Sequence, residues 1–339
     1  MPALLADLTT MRVGGVAARV VTAGSPDDLV AAVRSADSAG DPLLLIGGGS
    51  NLVVADDGWP GVVILVRTDG IDVRSDGDAV AVTVQAGVAW DTVVARSVAQ
   101  GWSGLAAMSG IPGLTGATPI QNVGAYGSEV ADVISELTVL DRTSGAVERW
   151  TPDRCGFGFR TSAFKHTDRF VVLDVTFRLP FTPESVPVRY VELARRLGID
   201  TGALAPSQQV REVVLKLRRE KGMLLDPADH DTWSVGSFFV NPFVDPRDVP
   251  DGCPHWVVDG RTKLSAAWLI ENAGFWKGFG LDRRPGRAAL STKHTLALTN
   301  RGGAATVEIL DLAREIRAGV EAKFGVRLSP EAHLVGVEL

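Results

Sequence analysis

Two cysteines in 339 residues, Cys155 and Cys253, are too few for a disulfide-stapled scaffold. The five histidines (His166, His230, His255, His294 and His333) form no HxxxH or HxH pair, and neither cysteine has a CxxC partner. No metal site is expected from such spacing. An excess of positive charge is also missing: 34 Lys and Arg stand against 40 Asp and Glu, for a net charge of −6. Nucleic acid and anionic lipid surfaces therefore find no basic field to bind. Long apolar runs are absent, since Leu43–Ile46 and residues 62–66 fall far short of the roughly 20 residues a membrane span requires. Residues 1–7 carry neither the basic nor the apolar segment of a secretory signal. Hydrophobic residues at 45% and charged residues at 22% are ordinary for a packed globular chain. The expectation is a reduced, cytoplasmic protein of two or three domains.

Glycine and proline are present in quantity, 37 and 18 residues, and they cluster. Ser25 can cap a helix over 26–40, in which Leu29, Val30 and Val33 share a face. Leu43–Ile46 reads as a short buried strand running straight into Gly47, Gly48 and Gly49. Residues 62–66 and 79–84 read as further strands, the second alternating apolar and polar. A helix over 90–100 ends at Gly101. Residues 101–127 then hold seven glycines and two prolines with no clean period, which in a compact domain suggests a functional loop. Strands resume at 137–140, 146–150 and 169–179, so residues 15–180 read as one α+β unit. Beyond the Pro180 and Pro187 punctuation come a helix end and linker over 195–207 and a helix over 210–221. Further on are a helix over 265–273, a strand near 296–299, a helix over Thr306–Phe324 and a terminal strand over 334–339.

Two glycine segments are candidates for anion binding. IGGGSN, from Ile46 to Asn51, follows a strand directly, and successive glycine amides can converge on an anion. A plain glycine turn reads equally well there; it is neither GxGxxG nor a Walker loop. The second segment, SGIPGLTGATPIQNVGAYG from Ser109 to Gly127, adds hydroxyl and amide donors at Thr115, Thr118, Gln121 and Asn122. Two amide-rich segments with neutral donors suit a buried dinucleotide, against the alternative of an Ω-loop packed on itself.

Five motifs in order carry a specific resemblance: IGGGSN, then SGIPG…QNVGAYG, FGFRTSAFK at 157–165, GSFFVNP at 236–242 and LSPEAHLVG at 328–336. With TTMRVGG at 9–15, the pattern spans nearly the whole chain. It resembles the UDP-N-acetylenolpyruvoylglucosamine reductase family of peptidoglycan precursor synthesis. The resemblance implies an α+β architecture: a two-lobed FAD-binding domain of the vanillyl-alcohol oxidase superfamily and a smaller α+β substrate domain. The implied divisions are 1–66 and 67–205 for the two lobes, 206–327 for substrate binding, and 328–339 for a terminal strand. It implies that NADPH reduces FAD and that the flavin passes hydride to an enolpyruvyl group, giving UDP-N-acetylmuramate. By position, Gly47, Gly48, Gly49, Ser50, Asn51, Pro112, Gly113, Thr118 and Gly124 are the implied FAD contacts. Arg160, Ser237 and Glu331 are the implied catalytic groups, and Tyr126, Tyr190, Arg218, Lys221, Asn241 and His294 the implied substrate contacts. An intact Arg-Thr-Ser-Ala-Phe segment and Tyr190 resemble the branch with a tyrosine-bearing loop. No His or Cys lies within 47–127, so FAD is expected to be noncovalent, and the chain is expected to be a monomer.

The chemistry of the residues agrees with those roles. Hydride addition to a double bond beside a carboxylate spreads charge into that carboxylate, which calls for a fixed cation and a nearby acid. Arg160 offers a permanently charged fork; the bland alternative is an ion pair with Asp153 or Asp168. Ser237 lies between Gly236 and two phenylalanines, where the alternative is a buried serine bonded to backbone. As a weak acid it needs a neighbour, for which Glu331 is the candidate, the alternative being an exposed carboxylate after Ser329 and Pro330. Arg218 and Lys221, three apart on the expected helix, can face one diphosphate or merely a solvated basic face with Arg211, Lys216 and Arg219. Three positions depart from the family pattern: an insertion after Lys221, Val240 in place of a basic residue, and His294 where some relatives have Gln. Two rivals stand beside this reading. An alcohol-oxidising relative would need a catalytic base or covalent flavin link, and a noncatalytic nucleotide-sugar binder would be redox-inert.

Overall fold

The computed structural model describes residues 2–258 and 260–339. They fall into two compact units that the chain visits in alternation. The first unit holds residues 2–18, Gly49–Pro60 and Glu220–Leu339; the second holds Arg19–Gly48 and Gly61–Arg219. In chain order the elements begin with β1 (Ala3–Leu4), β2 (Val16–Ala23), α1 (Pro26–Ala39), β3 (Leu43–Ile46), β4 (Leu52–Val54) and β5 (Trp59–Val66). Next come β6 (Ile71–Asp76), β7 (Ala79–Gln85), α2 (Trp90–Ala99), β8 (Gly124–Ala125), β9 (Ser128–Glu129), β10 (Ile134–Asp141) and β11 (Val147–Trp150). Then follow α3 (Pro152–Cys155), β12 (Phe170–Pro180), α4 (Val191–Leu197), α5 (Ser207–Glu220), β13 (Phe243–Val244) and β14 (His255–Val258). The chain closes with β15 (Arg261–Leu264), α6 (Ala266–Asn272), β16 (Ala288–Leu290), β17 (Leu298–Asn300), α7 (Thr306–Phe324) and β18 (His333–Val335).

In the second unit an antiparallel sheet runs β11-β10-β12-β7-β6. β12 pairs with β7 from Asp174 opposite Gln85 to Pro180 opposite Ala79. One face buries Val82, Val84, Trp90, Val94, Leu137 and Phe177. β3 and β5 pair in parallel, Leu43 with Val62 and Leu45 with Ile64. Their apolar run packs against Leu29, Val33 and Ala36 of α1. Helix α1 starts where its sequence says it should: the Ser25 hydroxyl accepts from the Asp28 amide at 3.1 Å, Pro26 opens the first turn, and Gly40 at φ 69° ends it. A third cluster gathers Val210, Val214 and Leu217 of α5 with Leu193 and Ala194 of α4. Their spacing is that of one buried helical stripe.

The first unit is built around α6 and α7. Ile309, Leu310, Ala313, Ile316 and Val320 of α7 meet Leu269 and Ile270 of α6, with Phe238, Phe239, Leu290 and Leu298 completing the core. The first turn of α7 is capped from far away: the Asp56 carboxylate accepts the amides of Thr306 and Val307 at 2.7 and 3.1 Å. β4 and β18 pair in parallel, Leu52 with His333 and Val54 with Val335. Short sheets β13-β15-β14 and β16-β17 flank the helices.

The architecture is α+β, as the sequence pattern predicts. Residues 101–127 form turns, two single 3-10 turns (Ala106–Met108 and Thr115–Ala117) and the short β8. The helix end expected at the start of 195–207 is the close of α4, which Gly198 ends at φ 70°. Two stretches differ from expectation. The terminal strand covers only His333–Val335. Helix α5 stops at Glu220 because Gly222 turns left-handed at φ 64°, so Lys221 stands beyond the helix and shares no helical face with Arg218.

Candidate active site

In the second unit the two glycine segments meet backbone to backbone. A Cβ on Gly48 would lie 2.9 Å from the Cα of Gly113, and one on Gly47 would press on Leu114 at 3.3 Å. Arg67 holds the start of the first segment by donating to the carbonyls of Gly47 and Val66 at 3.0 and 2.7 Å. The second segment is pinned along its length: Trp90 N–H donates to Gly113 O, Thr115 N–H and Oγ1 to Val88 O, and Gly116 N–H to Ala86 O. Thr118 is buried, its hydroxyl donating to Thr115 O at 2.8 Å. With so many neighbours fixed, the amides of Gly48 and Gly113 still donate to no acceptor among the described residues. Amides left open on a glycine surface suit a phosphate group.

Gly124 belongs to β8, and its carbonyl accepts from Nη2 of Arg160 at 2.9 Å. Arg160 occupies the third position of a tight turn closed by reciprocal bonds between Gly158 and Thr161, at 3.1 and 3.2 Å. Its φ is 53°, where glycine is the usual occupant. Asn122 and Tyr126 are left-handed as well, at 45° and 51°. Surrounding bonds hold this strain in place: Asn122 donates to Glu129 Oε2 and Gly158 O and accepts from Ala131 N–H. Lys165 Nζ bonds the carbonyl of Arg160 itself. Bulky residues kept in an unfavourable backbone region by this many partners point to a selected geometry.

The chain has two tyrosines, and they touch. Tyr126 and Tyr190 lie edge to face with ring centroids 5.3 Å apart, Tyr190 immediately before α4 and 41% exposed. The cations of α5 have separate duties. Arg211 forms a two-pronged pair with Asp91 at 2.6 and 2.8 Å, and Asp91 also accepts the Gly110 amide. Burial works to raise the Asp91 carboxyl, but these bonds outweigh it and hold the group below its usual range. Arg218 donates Nε to Gly110 O at 3.1 Å; burial pulls its pKa down, while Tyr126 and Asp91 oppose that pull. The basic face of α5 is therefore partly structural.

In the first unit, residues far apart in sequence become neighbours. Phe239 bridges Pro330 in antiparallel fashion, Glu331 N–H donates to Phe238 O at 2.8 Å, and Val240 N–H donates to Ser329 O. Glu331 thus pairs with Phe238, the residue after Ser237, so the bridge brings the two backbones into one neighbourhood. Ser237 is half-buried, and its hydroxyl has no hydrogen bond among the described residues. Glu331 is half-buried rather than an exposed cap. Asn51 joins them, its side-chain amide donating to Glu331 O at 3.3 Å and its carbonyl accepting from His333 N–H. Ser50 precedes it at the entry to β4. Gly49 can only be glycine: its φ is 63°, and a Cβ would fall 1.9 Å from Leu8 O. Asn241 has a structural duty, its Oδ1 accepting the Ala266 amide at the start of α6. His294 is pushed down to about 4 by burial first and then by the charges of Lys221 and Lys277, which leaves a neutral imidazole beside two cations. Sequence reasoning passed over Lys277, which sits in an irregular turn where no periodicity marks it.

Among the described residues no three His, Cys, Asp or Glu side chains gather as a metal site, and no helix is long and apolar enough to cross a membrane.

Known proteins resemble this chain over nearly its whole length. Residues 17–151 match the model of an FAD binding domain, and residues 226–335 match that of the UDP-N-acetylenolpyruvoylglucosamine reductase C-terminal domain. A UDP-N-acetylenolpyruvoylglucosamine reductase from Thermobifida fusca is 51% identical, covering 99% of this chain and 97% of the relative. One from Salinispora arenicola is 53% identical over 99% and 95%. The crystal structure of the enzyme from Thermus caldophilus superposes with a TM-score of 0.70 at 25% identity, over 99% of this chain and 98% of that one.

Proposed function

Because the chain belongs to the UDP-N-acetylenolpyruvoylglucosamine reductase family, we propose that it reduces the enolpyruvyl group of UDP-N-acetylglucosamine enolpyruvate to the lactyl ether of UDP-N-acetylmuramate, with NADPH as reductant. FAD fits the residues present: the open amides of Gly48 and Gly113 offer a phosphate cradle, and Gly47, Pro112, Thr118 and Gly124 lie on the same two segments. Gly49, Ser50 and Asn51 continue the first of them. When bound, FAD supplies a two-electron centre that accepts hydride from NADPH and delivers hydride to the substrate double bond.

The protein's own part is electrostatics and proton supply. Arg160, fixed by its turn and by Gly124 O, holds the substrate carboxylate and stabilises the charge that spreads into it. Ser237 gives a proton to the carbon beside that carboxylate, and Glu331 assists it. The proposed substrate contacts are Tyr126, Tyr190 and Arg218 of the second unit, and Lys221, Asn241 and the neutral His294 of the first. The proposal assigns residues 1–66 and 67–205 to cofactor binding and 206–327 to substrate, with 328–339 delivering Glu331. It also holds that the chain acts as a cytoplasmic monomer.

The observation that supports this reading is the Ser237 hydroxyl left unengaged beside the bridge between residues 238–240 and 329–331. A visible spectrum tests it: the purified protein is yellow, is bleached by NADPH, and recovers its colour anaerobically when the UDP-sugar enolpyruvate is added. Protein that takes up no FAD, or reduced protein that the enolpyruvate leaves bleached, refutes the proposal.

A further inference from the structure

Asp231 stands outside every role assigned so far, yet it is a buried carboxylate of the first unit that accepts three hydrogen bonds. Its side chain is 5% exposed. It accepts from the Thr292 amide at 2.9 Å, from the Thr292 hydroxyl at 2.5 Å and from Nη1 of Arg301 at 2.7 Å. Burial alone would raise its pKa, but these donors outweigh that and keep it ionised. Its own amide donates to Asp229, whose carboxylate pairs with Lys293 at 2.5 Å. Segment 229–231 therefore grips both residues that precede His294. The inner face of that turn is tied by Ser291 Oγ, which accepts the amides of Lys293 and His294. On its other side Asp231 supports the chain next to Lys221: a Cβ on Gly222 would lie 3.3 Å from the Asp231 Cβ and carbonyl. Six residues downstream is Ser237, along a stretch anchored where Thr10 Oγ1 donates to Ser234 O at 2.7 Å.

We propose that Asp231 is a positioning residue for substrate binding: one ionised carboxylate sets the turn bearing His294, the backbone beside Lys221 and the approach to Ser237. The inference rests on the roles proposed above for His294 and Lys221. A carboxylate suits the task because it alone accepts from an amide, a hydroxyl and a guanidinium at once.

The test uses purified, FAD-loaded enzyme reduced photochemically, so that no nucleotide is needed for reduction. Flavin reoxidation is then followed against UDP-sugar enolpyruvate concentration, well below the thermal midpoint. Asp231→Asn keeps the shape but supplies N–H where an acceptor is needed. It should retain its FAD absorbance and raise the half-saturating substrate concentration by about 10- to 100-fold, the scale of a displacement of about 1 Å. The limiting rate should fall less. A lowered melting temperature with unchanged half-saturation means a merely structural residue and overturns the proposal. Should Asp231→Asn fail to fold, Thr292→Val removes one donor while leaving the backbone amide bond. A weaker shift of the same sign supports the proposal, and no shift overturns it. His294→Ala run in parallel separates the two readings. If it leaves half-saturation unchanged, the substrate site itself is wrongly placed and the inference falls with it; if it raises half-saturation while Asp231→Asn does not, only the inference falls.

Discussion

The two units assemble their chemistry by opposite means. In the second, the backbone does the work: glycines in close approach, open amides, and Asn122, Tyr126 and Arg160 held left-handed. In the first, the candidate groups come from residues 51, 237 and 331 and are joined by a strand ladder and one amide bond. A surface made of glycines tolerates almost no added atom. A ladder of backbone bonds tolerates side-chain change, because its rungs do not depend on what the residues carry. Substitutions in the first unit should therefore read out chemistry cleanly, whereas those in the glycine segments should mix binding with stability.

The sharpest case is Ser237→Ala. Its hydroxyl bonds nothing among the described residues, so its loss should leave folding and NADPH-driven flavin reduction nearly unchanged. Reoxidation by the enolpyruvate needs a proton on carbon, and a positioned acid typically contributes ~10²–10⁴-fold. Anaerobic stopped-flow of each half-reaction separates them. Equal, wild-type speeds in both halves would remove Ser237 as the donor. Arg160→Lys comes next. It keeps both the charge and the left-handed turn but loses the fork, so turnover should drop by roughly 10²-fold, the worth of a charged hydrogen bond, while the flavin spectrum persists. Full turnover in that variant would mean that Arg160 serves only to bind Gly124 O.

This contrast also explains what could be read in the sequence. The glycine segments are legible because glycine density is a local signal, and so are α1 and α7, whose apolar spacing and boundary residues lie within one stretch of chain. Arg160 could be named by resemblance, but its left-handed turn could not, since nothing in Gly-Phe-Arg-Thr demands positive φ at the arginine. The pairing of residues 238–240 with 329–331 was out of reach for periodicity, which says nothing about partners some 90 residues away. The Lys221 helix assignment failed on a single residue: Gly222 after the last apolar position was the stop signal. Lys277 and Asp231 carried no pattern at all, because ion pairs and close charges are tertiary facts.

A smaller effect tests the glycine side of the comparison. Gly49→Ala places a Cβ against Leu8 O at a φ of 63° and should cost about 1–3 kcal/mol of stability, the range for enforced backbone strain. Gly48→Ala meets only the Gly113 backbone, at 2.9 Å, and carries no left-handed φ. Its main symptom should be loss of flavin, read as the ratio of visible to 280 nm absorbance, with a smaller change in melting temperature. If the two variants lose stability equally and keep FAD equally, the segment is a structural turn and not a phosphate cradle.

The smallest expected effect belongs to His294. Burial, reinforced by Lys221 and Lys277, lowers its pKa to about 4 from an ordinary value of 6.5. The folded state therefore binds this proton less readily than the unfolded chain does. Above pH 6.5 the imidazole is neutral in both states, and its burial adds no pH dependence. Between pH 6.5 and 4 the unfolded chain takes up the proton first, so the stability margin shrinks as pH falls through that window. Substrate binding, by contrast, should show no titration from this group above about pH 5, because the bound form already holds it neutral. His294→Gln keeps a neutral hydrogen-bonding side chain at the same place. It should flatten part of the stability decline between pH 6.5 and 5 while changing half-saturation by no more than about threefold, the size of one neutral hydrogen bond. Denaturant midpoints of wild type and variant at pH 7 and pH 5 measure the first quantity, and flavin reoxidation against substrate concentration measures the second. A wild-type pH dependence that survives the substitution intact would place the titration elsewhere and remove His294 from the lysine pair.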